Sequence, residues 1–223
     1  MKKLVFTAFL CFFSLLSFSQ VTQNLGDFTA VRAFDMIHVT LVKSTENKVV
    51  IKGDRAGEVE VVIKNSDLKI RMKFSKLLQG EDIEATIYYT GRIDNVEASE
   101  GAYVGSADTF TATAFELNAK EGAQIKLKLD VDKLKTKANS GGILEISGTA
   151  DYHDLKMTSG AIFKGKNLIT KQTEVTLSAG GEADVYATDF ADAKTRAGGD
   201  IDIYGNPKQV NKNSFAGGSI DVM

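Results

Sequence analysis

A single cysteine, a single proline, two histidines and no tryptophan occur in 223 residues. Cys11 falls inside the apolar run from Leu4 to Phe18 and lacks the small-residue context of a lipoprotein cleavage site, so no lipid anchor is expected. Everything after residue 19 is free of cysteine, which excludes disulfides and thiolate zinc sites there. The lone Pro207 leaves no proline-rich linker to divide the chain. Two histidines are a thin ligand supply. His38 alternates with Ile37 and Val39 and is expected to face outward on a strand. His153, in Asp151-Tyr152-His153-Asp154, is expected to be a solvated corner residue rather than a metal ligand or general base. A Gly-x-Ser-x-Gly elbow, a phosphate loop and a dinucleotide fingerprint are all missing.

Long apolar runs are also absent after the first 20 residues. Lys2-Lys3 followed by the run from Leu4 to Phe18, with Ser17 and Ser19 at the −3 and −1 positions before Gln20, predicts a secretory signal peptide over residues 1–19. That run is short for a membrane span, and no transmembrane segment is expected in the mature chain. Without Lys2 and Lys3, 25 of the 27 basic residues face all 29 acidic ones, a net charge of −4. Nucleic acid, which needs clustered Lys and Arg, is not an expected partner.

What is present is a phrase built on glycine. Gly101-Ala102, Gly122-Ala123, Gly141-Gly142, Gly160-Ala161, Gly180-Gly181, Gly198-Gly199 and Gly217-Gly218 stand 21, 19, 19, 20, 18 and 19 residues apart. Three residues on come Val104, Ile125, Leu144, Phe163, Ala183, Ile201 and Ile220. Five residues on, the set is mostly apolar and includes Leu127, Ile146, Val185, Ile203 and Val222. Polar residues alternate with them, so each phrase opens a half-buried strand. A weaker apolar arm precedes each glycine, giving two or three short strands per coil of about 20 residues. One such coil cannot bury its apolar face alone, whereas a stack can. The period therefore predicts an all-β, single-stranded parallel β-helix over residues 98–223, in preference to a meander or barrel of hairpins. Alternating runs in residues 20–97 predict the first, wider coils and an N-terminal β cap, with a hairpin turn at Asn65-Ser66-Asp67. The two regions form one domain, and 43% hydrophobic content suffices for its core.

The recurrent A-x-x-G-[GA] phrase, the closing IYGNPKQVNKNSFAGGSIDV and the opening FTAVRAFDMIHVTLVKSTENKVVIKGD resemble the putative auto-transporter adhesin family called the head GIN domain, widespread in Bacteroidetes-type bacteria. The likeness runs from Phe28 to Val222, and of the family's Gly-Ile-Asn only the isoleucine of Met36-Ile37-His38 is kept. The resemblance implies a right-handed coil, export to the envelope and adhesion, with no established activity.

Candidate chemistry is sparse. Asp184, Asp202 and Asp221 share one offset after their glycine, with Glu182 and Asp200 two residues earlier, and equal offsets stack about 4.8 Å apart in parallel coils. Two readings stay open for this acidic ladder: a divalent cation such as Ca²⁺ relieving the repulsion, or a solvated face without a cofactor. Lys126, Lys128, Lys164 and Lys166 fall on the equivalent face of earlier coils, and Tyr186 and Tyr204 share an offset suited to a tyrosine ladder that packs on a sugar or covers the next strand. The expectation is an exported, non-enzymatic envelope or surface protein whose flat lateral faces bind a glycan or a surface protein. Alternatives are a carbohydrate-active lyase or hydrolase, and a self-associating homo-oligomer.

Overall fold

The computed structural model describes residues 20–223; the expected signal peptide, residues 1–19, lies outside the described residues. The described residues are 67% strand and 3% helix, wound as a β-solenoid of about seven turns. Its first eight strands are β1 (Gln20–Asn24), β2 (Ala30–Ala33), β3 (His38–Lys43), β4 (Lys48–Lys52), β5 (Val59–Lys64), β6 (Asp67–Met72), β7 (Glu84–Tyr89) and β8 (Asn95–Ala98). The glycine-punctuated coils supply β9 (Tyr103–Lys120), β10 (Gln124–Asn139), β11 (Ile143–Thr158), β12 (Ala161–Lys164), β13 (Leu168–Ser178), β14 (Gly181–Tyr186), β15 (Phe190–Arg196), β16 (Asp200–Tyr204), β17 (Gln209–Phe215) and β18 (Ser219–Val222).

From β8 to β18 every pairing is parallel and joins equivalent positions of successive coils, for example Ile125 with Leu144, Ala183 with Ile201, and Ile201 with Ile220. The coils are less segmented than their sequence suggests. β9, β10 and β11 are continuous ribbons of 18, 16 and 16 residues. The ladder runs on around the bend in these three, and only from β12 onward does each coil break into two strands.

Each coil turns at its glycine, and the turn uses two left-handed residues rather than one. Glu100 and Gly101 lie at φ +56° and +73°, Glu121 and Gly122 at +56° and +72°. Ala102 N–H donates to the Ser99 carbonyl and Ala123 N–H to that of Lys120, both at 3.1 Å, which closes a tight two-residue turn. Adjacent corners also bond to each other. Gly101 N–H donates to Glu121 O at 3.0 Å, and Gly122 N–H to Ser140 O at 3.0 Å. Asp35 and Met36 make the same corner at φ +59° and +62°, and Met36 N–H donates to Glu100 O at 2.9 Å. The Met36-Ile37-His38 triplet is thus the first repetition of the phrase: a left-handed corner, a buried isoleucine, an outward polar residue.

The N-terminal strands depart from this regularity. β2 pairs in parallel with both β6 and β8, and β3 with both β7 and β9. β1 lies antiparallel on β4, β4 on β7, and β5 on β6. The β5–β6 hairpin turns at Asn65 and Ser66, φ +52° and +61°, where the sequence places it. The core is a stack of apolar side chains, including Val104, Ile125, Leu144, Phe163 and Ile201. Each fully buried Leu, Ile or Phe contributes about 1.5–3 kcal/mol.

Candidate binding face

The strands that open each coil form one lateral face, running β7, β3, β9, β10, β11, β12, β14, β16, β18. Because alternation sends every second residue outward, this face carries columns of side chains in register. One column reads Lys126, Glu145, Lys164, Asp184, Asp202, Asp221. Another ends in Glu182, Asp200, Ser219. The expected polarity, basic in the middle and acidic toward the C-terminal end, is present but interrupted by Glu145, whose carboxylate meets Lys126 Nζ at 2.6 Å.

The five residues of the acidic ladder are therefore stacked as their offsets imply. Like carboxylates one strand apart repel. Burial first, and then the charge of Asp202, push the Asp184 carboxyl above its ordinary value, while Lys166 opposes the rise. Among the described residues, no three His, Cys, Asp or Glu side chains converge closely enough to hold a metal ion. Val185 and Ile203 point inward as expected, whereas Val222, on the last coil described, is exposed. Tyr186 and Tyr204 are paired in register, and Lys166 Nζ sits 4.5 Å from the Tyr204 ring centroid, a cation–π contact.

Two irregularities interrupt the face and leave a depression between them. β9 slips register against β10 between Lys126 and Lys128, so that Ser106, Ala107 and Asp108 form a bulge. Three coils on, the strand breaks at Gly165-Lys166-Asn167, where Leu168 N–H donates to Gly165 O across the break and Gly148 N–H of the preceding coil donates to Asn167 O, both at 2.9 Å. Bulges of this kind re-aim side chains and recur beside binding sites. The depression measures about 450 Å³ and is lined by Ser106, Lys126, Lys128, Ser147, Lys164 and Lys166, among others. Lys128, Lys164 and Lys166 form no ion pair with any described residue. The sequence places these lysines on one face, but the hollow depends on a bulge and a break that periodicity conceals.

A second hollow, of about 350 Å³, has the opposite character. Lys43 Nζ donates to the carbonyls of Thr90 (2.7 Å) and Gly91 (2.6 Å), and Asp108 accepts the Lys43 N–H at 2.6 Å. Both charged groups are thus already engaged by the backbone.

His153 corrects its expectation. It lies within β11, fully buried, its ring 5.1 Å from that of Phe163 and its Nε2 3.0 Å from Thr136 Oγ1. Burial pushes the imidazole down to about 3. The register column Phe115, Leu134, His153, Thr173, Ala191 explains this: His153 occupies an inward position of a third arm, twelve residues after its glycine as Leu134 is after Gly122. That offset was the available signal. His38, by contrast, faces outward and stacks on Tyr103 at 4.2 Å.

Residues 27–207 match the family described as "Putative auto-transporter adhesin, head GIN domain". Among solved structures, a putative adhesin from Bacteroides fragilis superposes with a TM-score of 0.84 at 19% identity, over 93% of this chain and 98% of that one. A putative adhesin from Parabacteroides distasonis gives 0.74 at 19% identity, over 92% and 97%. A putative lipid binding protein from the same organism gives 0.66 at 15% identity, over 92% and 96%. No curated protein sequence matches the chain.

Proposed function

The chain belongs to the head GIN domain family of putative auto-transporter adhesins, and on that premise we propose that it is an exported, non-enzymatic binding module of the cell envelope or cell surface, working through its lateral face. One observation carries the reading: nine strands paired in parallel present polar columns along that face, interrupted by a hollow where three lysines form no salt bridge. Such a surface suits an extended ligand, a glycan or a stretch of another surface protein. Export would remove residues 1–19 and leave Gln20, the first residue of β1, at the new terminus. We further propose that β1 and β4–β7 serve as the N-terminal cap of a right-handed coil, covering an edge that would otherwise aggregate. For the acidic ladder the solvated face is preferred to a Ca²⁺ site; a melting temperature raised by Ca²⁺ would reverse that preference.

The test is a glycan and surface-protein array probed with the purified protein, run beside a reducing-sugar assay on a polysaccharide panel. Saturable binding without new reducing ends is expected. Release of reducing ends would instead place the protein among carbohydrate-active solenoid enzymes. Protease shaving of intact cells separates a surface location, where the protein is cut, from a periplasmic one.

A further inference from the structure

We propose that the depression between the β9 bulge and the β12–β13 break binds an acidic polysaccharide, with anionic groups of the sugar chain seated on Lys128, Lys164 and Lys166. The inference deepens the lateral-face reading and rests on it.

Charge comes first. In a protein with a net negative charge, three ammonium groups stand around one hollow with no carboxylate oxygen in salt-bridge contact, although Asp184 neighbours Lys164 in register and feels both Lys164 and Lys166, while the fourth, Lys126, is paired with Glu145 at 2.6 Å. Like charges held together raise the local potential, and an anion relieves it. Lys126 and Lys164 lie two strands apart in one column, about 9.6 Å by the inter-strand spacing, Lys128 lies two residues along its strand from Lys126, about 6.6 Å, and Lys166 stands in the turn that follows Lys164. Charges so spread suit a ligand with anionic groups at intervals, and are too far apart to chelate one small anion.

The rest of the lining agrees. Ser147 and Asn167 offer hydroxyl and amide groups of the kind that meet sugar hydroxyls, and Tyr204 stands beside Lys166 as an aromatic flank. A bilayer is a poorer fit. The large apolar side chains that are exposed, among them Met36, Phe74, Leu77, Leu78, Phe215 and Met223, do not line the hollow, so nothing there would enter a membrane.

Affinity electrophoresis of the purified protein through polygalacturonate, dextran sulfate and neutral dextran tests the proposal. Retardation by an acidic polymer, weakened by salt and absent with dextran, is expected. Lys128→Glu/Lys166→Glu should weaken it by about ten-fold or more, and the milder Lys128→Gln/Lys166→Gln by less, with melting temperatures confirming that both fold. Lys133→Glu/Lys137→Glu, which changes net charge equally on another arm of the coil, should leave it within about two-fold. Equal loss in that control, no retardation by either acidic polymer, or binding only to phosphatidylglycerol vesicles overturns the proposal. If an array ligand still binds when acidic polymers do not, this proposal falls and the adhesin reading stands. If an acidic polymer is bound and also cut, the site stands and the non-enzymatic reading falls.

Discussion

His153 is a base held where it cannot take a proton. Its ordinary value of 6.5 is lowered to about 3 by burial. Between those values the unfolded chain gains a proton that the folded chain refuses, so stability is complete above pH 6.5 and falls as the pH drops toward 3. At pH 5 the loss is about 2 kcal/mol, 1.5 pH units at about 1.4 kcal/mol each. Denaturant unfolding at pH 7 and pH 5 should show that difference, and His153→Leu, which repeats the neighbouring Leu134, should remove it. An unchanged pH dependence in the variant would mean that other groups carry it. Met36 holds the corner position that glycine holds in later coils, at φ +62°. A side chain costs about 1–2 kcal/mol there, partly offset by the greater backbone freedom of unfolded glycine. Met36→Gly should therefore raise the melting temperature slightly, while a clear fall would show that contact with Gly101 outweighs the strain.

At the level of the element, the glycines are not equivalent. A Cβ on Gly122 meets nothing within 4 Å, whereas one on Gly148 stands 1.9 Å from the Leu129 carbonyl oxygen. Both have positive φ, +72° and +107°. Gly122→Ala should cost about 1–2 kcal/mol from conformation alone, and Gly148→Ala more than about 3 kcal/mol, because backbone of the neighbouring coil must move. Chemical denaturation of the two variants measures the gap; equal losses would mean that the coils slide apart easily. The corners and their alternating arms were legible in the sequence because each is local and recurs. The hollow was not, since a bulge at Ser106–Asp108 and a break at Gly165 are deviations that a period averages away. The placement of β2 and β3 between strands made later was also hidden, because pairing partners 37 to 65 residues apart leave no local trace.

The whole column has two unlike ends. At the C-terminal end the inward positions carry Lys212 above Ala193 and Ser214 above Thr195, and Lys212 Nζ reaches across to the Ile220 carbonyl at 2.8 Å. A charge at an inward position blunts an edge that would otherwise pair with another copy. Lys212→Val/Ser214→Val should make the protein associate as concentration rises, seen by light scattering, where the parent protein should not; equal association in both would show that the lysine is no guard. The opposite end has a consequence for how the protein comes into being. β2 and β3 need β6 and β7 on one side, and β8 and β9 on the other, so a nascent chain leaving a ribosome or secretion pore keeps one flank of those strands bare until Tyr89 has followed and the other until Ser106 has. Assembly therefore starts from the interior of the first hundred or so residues rather than from the tip, and from there it proceeds vectorially, each new winding templated on the one before it.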